Sequence, residues 1–104
     1  MIEFSFEDGS QTLLCKFIGR MDTINTDLVT EKMKAALLEY KAAAPAVHVV
    51  FDLGAVDYVA SSFLRICVYA AKSVEKGSFS IINTDPLVLK VFTITGLAGT
   101  LQVS

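Results

Sequence analysis

Val47-His48-Val49-Val50-Phe51-Asp52-Leu53, followed by Gly54-Ala55-Val56-Asp57-Tyr58-Val59-Ala60-Ser61-Ser62-Phe63-Leu64-Arg65, carries the strongest structural signal in the chain. Its first part is short, β-branched and almost continuously apolar, the pattern of a central parallel strand. Its last part opens an amphipathic segment, with Phe63, Ile66, Cys67, Ala70, Ala71 and Val74 as the buried stripe of a helix from about Ser62 to Lys76. Gly77 stands where a helix C-terminal glycine belongs. Strand, short loop and helix therefore follow one another, with two hydroxyls at the helix entrance. A serine there can cap the helix. It can also carry a phosphate, because free N–H groups and the helix dipole favour negative charge at that end.

The flanking segments extend the same architecture. Upstream, Ile2, Phe4 and Phe6 alternate with polar residues, Asp8-Gly9 marks a turn, and Leu13, Cys15 and Phe17 alternate again. These two runs predict an antiparallel hairpin whose second strand lies deeper in the sheet. Gly19 to Thr23 breaks the pattern, and a helix is expected from about Thr26 to Ala43, with Leu28, Val29, Met33, Ala36, Leu37 and Tyr40 on its apolar stripe. Pro45 stops it. Downstream, Ser78 to Ile82 reads as a strand. Asp85-Pro86 starts a third helix with Leu87, Val88, Val91, Phe92 and Ile94 on its apolar side, and Gly96 ends it. Leu101 to Val103 suggests a final edge strand. The expected fold is α/β: one domain over 1–104, a mixed sheet of four to five strands, and helices mainly on one face.

Composition narrows the function. The chain has 104 residues, 53% of them hydrophobic and 19% charged, with a net charge of −2. That is enough apolar material for a core without metal or disulfide support, and the low charged fraction leaves room for a covered apolar surface or a weak dimer. Lys and Arg do not cluster, which argues against nucleic-acid binding. Cys15 and Cys67 lie far apart without a CxxC and read as small core residues of a protein in a reducing compartment. No apolar run approaches the ~18 residues of a membrane span, and the acidic residues Glu3, Glu7 and Asp8 disfavour a signal peptide. A cytoplasmic protein is expected.

Enzymatic signals are sparse. His48 is the only histidine and sits among valines. No Cys/His set has metal-ligand spacing, and the glycines are too isolated for a phosphate cradle. Neither a metal nor a cofactor is expected. Asp22, Asp52 and Asp57 fall at strand ends or in adjoining loops, where an acidic crevice is conceivable, although aspartates at such places commonly form turns and caps.

Gly19-Arg20-Met21-Asp22-Thr23, the strand and loop ending in Val59-Ala60-Ser61-Ser62, Ile82-Asn83-Thr84-Asp85-Pro86, and Val91 to Leu97 together resemble the STAS domain family, in particular stand-alone bacterial anti-sigma factor antagonists. The resemblance covers nearly the whole chain. It implies a non-enzymatic partner switch. The unphosphorylated antagonist captures an anti-sigma factor that is also a serine kinase; phosphorylation of the loop serine breaks the complex, and a phosphatase restores it. By motif position that serine is Ser61, with Ser62 beside it, and the implied partner surface is Asp22, Thr23, Tyr58, Val59, Phe63 and Arg65. The family's loop usually reads Asp-Ser-Ser/Thr-Gly-Leu-Gly; here Ala60, Phe63 and Arg65 replace the aspartate and both glycines. Phe63 is expected to extend an apolar contact patch with Tyr58 and Val59 if exposed. The departures also keep open a STAS subunit of a lipid-transport machine or stress-signalling scaffold that binds without a phosphoswitch. A third reading, ligand binding through Asp22 or Asp52, belongs to a different functional class.

Overall fold

A computed structural model describes residues Met1–Ser104. Alternation of side chains along the strands builds the sheet. β1 (Ile2–Glu7) pairs antiparallel with β2 (Thr12–Ile18), which pairs parallel with β3 (His48–Ala55), which pairs parallel with β4 (Phe79–Ile82). The spatial order β1-β2-β3-β4 puts β1 at an edge and β2 and β3 inside, as the apolar patterns require. The hairpin turn does not use Gly9 for its left-handed residue. Gln11 takes that place at φ 51°, while the Glu7 carboxylate accepts from the N–H groups of Gly9 and Ser10 and from the Ser10 hydroxyl. Those bonds, the Ser10 hydroxyl foremost, hold the Glu7 carboxyl below its usual range.

One face of the sheet supplies the core. Leu13, Cys15 and Phe17 of β2, Val49, Phe51 and Leu53 of β3, and Phe79 and Ile81 of β4 are all buried, whereas the alternate residues are not. The helices α1 (Thr23–Ala43), α2 (Ser61–Lys72) and α3 (Pro86–Ile94) contribute Val29, Met33, Phe63, Cys67, Val88 and Phe92 to the same core cluster. A chain of edge-to-face aromatic contacts crosses it: Phe63 to Phe17 at 5.0 Å, Phe17 to Phe51 at 4.8 Å and Phe51 to Phe79 at 5.0 Å. Such contacts add to the burial of the rings themselves. At the sheet edge, Phe6 stacks on Tyr40 of α1 at 4.9 Å.

Several boundaries differ from the sequence expectation for physical reasons. α1 begins three residues before Thr26, because Asp22 caps it by accepting from the Asn25 N–H at 2.8 Å. Leu28, placed on the buried stripe by spacing, is 67% exposed, while Thr26 is buried instead. α2 stops at Lys72, where the Ser73 hydroxyl donates to the Tyr69 carbonyl; Gly77 is left-handed but belongs to the turn before β4. Leu87 and Ile94 of α3 are exposed, at 71% and 73%. Beyond left-handed Gly96 the chain forms a further turn, α4 (Leu97–Thr100). The expected last strand is reduced to one bridge between Val103 and Ile81, so the sheet has four strands.

Both thiols are buried, and burial pushes Cys15 up to about 12 and Cys67 higher still. Neither should react with a thiol reagent at neutral or mildly alkaline pH until the fold opens; labelling of native and denatured protein checks this. Truncating Phe51, which touches two rings of the aromatic chain, should cost about 3–5 kcal/mol. For Phe51→Ala this would appear as a lower denaturation midpoint at an unchanged denaturant slope.

Candidate partner-binding site

Because β2 and β3 are parallel neighbours, the loops that leave them emerge at the same end of the sheet. The two loops are bonded to each other. The Met21 N–H donates to the Tyr58 carbonyl at 2.9 Å and the Ala60 N–H to the Met21 carbonyl at 2.8 Å. Met21 and Val59 face inward and are buried, which anchors both loops to the core. The starts of α1 and α2 are thereby held side by side.

The first loop is knitted by polar bonds. Asp22 caps α1, and the Asn25 side chain donates to the Arg20 carbonyl at 2.8 Å. The Arg20 guanidinium lies over the Tyr58 ring, 3.8 Å from its centroid, with Nε 3.9 Å from the Asp22 carboxylate. The cation–π contact thus bridges the two loops across their exposed side. Sequence reasoning did not single out Arg20. An arginine in a short loop has no signal of its own, and Tyr58 comes to it only through the sheet.

The second loop ends at Ala60, which is extended (φ −90°, ψ 167°) and is the N-cap of α2. An alanine has no side-chain acceptor, so the cap expected from the serines is absent. Ser61 and Ser62 occupy the first two helical positions instead. Ser61 is exposed. Ser62 is half-buried and its Oγ is shielded, with no hydrogen-bond partner. The two adjacent hydroxyls are thus unequal, and only that of Ser61 is presented to the outside. Arg65, one turn on, is exposed as well.

The apolar patch is composed differently from expectation. Phe63 is 0% exposed and packs edge-on against Phe17; Val59 is 7% exposed. Phe63 joins no exposed surface, because the α2 stripe that faces the sheet begins there, and Val59 reaches only the floor of a groove beside Tyr58. Tyr58, at 40% exposure, is joined instead by Leu87 of α3, and together with Asp57 and Val91 these residues line a shallow groove beside the loop. Thr23 is exposed at the first position of α1. The exposed residues at this end of the sheet therefore include Arg20, Thr23, Tyr58, Ser61, Arg65 and Leu87, with Asp22 capping α1.

The aspartates do not form a shared crevice. Asp22 is engaged in capping, and Asp52 accepts from the Gly54 N–H at 2.9 Å and the Asn83 side chain at 3.2 Å. No group of three or more His, Cys, Asp or Glu is placed to hold a metal. His48 opens β3 at the opposite end from the loops, with Nε2 3.5 Å from the Ser80 hydroxyl.

A sequence model of the STAS domain matches residues 4–104. The chain belongs to the STAS domain family. Its fold is shared with an anti-sigma-factor antagonist (STAS) domain protein from Planctomyces limnophilus, at a TM-score of 0.80 and 19% identity, covering 99% of this chain and 87% of that one. An anti-sigma factor antagonist from Mycobacterium paratuberculosis gives 0.76 at 21% identity, covering 99% and 85%. The antagonist SpoIIAA in its unphosphorylated form gives 0.73 at 17% identity, covering 100% and 88%. No curated protein matches the chain. Within this STAS domain, the uncapped start of α2 makes a direct prediction. Ala60→Asp should supply the missing acceptor to the first-turn N–H groups and raise stability by about 1 kcal/mol, measured by chemical denaturation against wild type.

Proposed function

We propose that the protein is an anti-sigma factor antagonist. It is a non-enzymatic regulator of the cytoplasm that captures an anti-sigma serine kinase and is released when Ser61 is phosphorylated. The observation that carries this reading is the placement of Ser61: an exposed hydroxyl at the first position of an uncapped helix, three residues after the exposed Tyr58, which lines a groove with Leu87. A phosphate there adds about −1.5 to −2 charges and three acceptor oxygens. The host accommodates it, because the free N–H groups and dipole at the start of α2 favour an anion and Arg65 lies four residues further on the same face. The partner does not, because a charge forced into a closing apolar contact loses its hydration without compensation. One modification thus separates the complex while leaving the fold intact, and a phosphatase resets it.

Ser62 is the weaker acceptor, since a kinase would have to unpack the start of α2 to reach its shielded oxygen. Asp22 and Val59 act in this scheme by holding the loops rather than by touching the partner, and Phe63 by fixing the helix start. Thr23, Tyr58 and Arg65 remain as contact residues, with Arg20 and Leu87 added. The names of the structural neighbours, among them a Bacillus SpoIIAA in phosphorylated form, support the same reading. The alternative is a STAS subunit or scaffold that binds without a switch. It is favoured by Ala60 and Phe63, which replace the family's aspartate and glycine and tie the loop tightly to the core.

Incubation with a candidate kinase and ATP, followed by mass mapping, should place the phosphate on Ser61. In pull-down, Ser61→Ala should keep kinase capture, while Ser61→Asp should weaken it by about tenfold or more, or roughly 1.4 kcal/mol. Equal capture by the two variants would favour the scaffold reading.

A further inference from the structure

The later turns of α1 and α2 enclose a cleft that the Ser61 surface does not use. It has a volume of about 150 Å³ and is lined by Lys34, Leu37, Leu38 and Lys41 of α1, and by Tyr69 and Ser73 at the end of α2. Leu37, 4% exposed, forms its apolar floor, and Leu38, 75% exposed, stands at its rim. The Lys34 ammonium lies over the Tyr69 ring, 4.8 Å from its centroid, and so reaches across from one helix to the other. The Ser73 hydroxyl is already donated to the Tyr69 carbonyl.

The two lysines are the only charged residues of this lining, and neither is paired. The one ion pair of the molecule joins Arg20 and Asp22. Around the cleft the signs are mixed. Asp27 and Glu31 precede Lys34 on α1, and Arg65 precedes Tyr69 on α2; Lys72 and Glu75 flank Ser73. Lys32 and Glu39 fall on the other side of α1 by helical spacing. The cleft is therefore a local cationic spot in a chain whose net charge is −2.

We propose that the cleft docks an acidic segment of a partner protein. One apolar side chain of that segment sits against Leu37, Leu38 and Tyr69, with a carboxylate on either side of it, one meeting Lys34 and the other Lys41. Charge complementarity selects this occupant, and spacing sets its form. The lysines are seven residues apart, about 10.5 Å along the helix axis. Two glutamates at i and i+7 of a partner helix have the same separation. Symmetric pairing of two copies would set lysine against lysine. A bilayer is a poorer occupant, because Leu37 is recessed and Asp27, Glu31 and Glu75 beside the cleft oppose an anionic surface. Tyr69 is eight residues beyond Ser61, about 12 Å along α2. The cleft thus lies apart from the phosphorylation site, and the proposal does not depend on that reading.

Fluorescence anisotropy of the full chain with a labelled helical peptide tests this. The probe carries a leucine between two glutamates seven residues apart; its control has lysines in place of the glutamates. The glutamate peptide should bind saturably, more weakly as salt rises, and the lysine peptide should not bind. Lys34→Glu and Lys41→Glu alter exposed side chains, so circular dichroism should be unchanged, yet each should weaken binding by about tenfold or more. Lys90→Glu, the same charge change at an exposed position of α3 outside the cleft, should leave binding intact. The proposal is overturned by a glutamate peptide that does not saturate at millimolar concentration, by equal binding of the two peptides, or by cleft variants that bind no worse than Lys90→Glu. Phosphatidylglycerol vesicles that bind through Lys34 and Lys41 while the peptide does not would also overturn it, and would make the cleft a lipid contact.

Discussion

The contact of Phe63 with Phe17 is the constraint on which the site depends. It seals the first turn of α2 against the inner face of β2 and continues through Phe51 to Phe79. With Phe63 turned inward, helical geometry sets the surroundings. Ser61 lies two residues earlier, about 200° round the helix, and so must point outward. Ser62 falls between, half-sheltered, with its oxygen shielded. The accessibility of one serine and the inaccessibility of its neighbour both follow from where one ring is buried.

The beginning of α2 is locally weak but held by tertiary contacts. Ala60 gives no side-chain cap, so the helix lacks a stabilisation of about 1 kcal/mol that serine, threonine or aspartate would provide there. Burial of Phe63 and the two backbone bonds between Met21 and the second loop offset that loss. The consequence for function is a helix entrance at which the N–H groups of Ser61 and Ser62 are unoccupied, while that of Phe63 donates to the Ala60 carbonyl at 3.0 Å. It can accept an anion without first giving up a bond to its own side chain. The Arg20–Tyr58 contact across the same loops adds a cation close to that entrance.

Much of this was legible in the sequence. Alternation in Ile2 to Phe6 and Leu13 to Phe17, and the unbroken apolar run from Val47, identified strands, their relative depth and the mixed sheet. The family motifs pointed to Ser61. The errors fell where a local pattern has two physical solutions. Leu28 fits a helical stripe by spacing, but α1 carries two stripes and only one meets the sheet. Leu87 and Ile94 follow the same logic on α3. Ser61-Ser62 looks like a cap, but the loop bond that holds Ala60 places the helix boundary before both.

By itself, then, the order of apolar and polar residues determined the sheet, the helices and the α/β class, because burial of a period-two or period-3.6 face is a property of each segment alone. Which side of each helix is hidden, which hydroxyl is presented, and that Arg20 meets Tyr58 were decided only when parallel β2 and β3 brought two separate loops to one end of the sheet. Those choices depend on contacts between residues distant in the chain, whose energies no local period encodes.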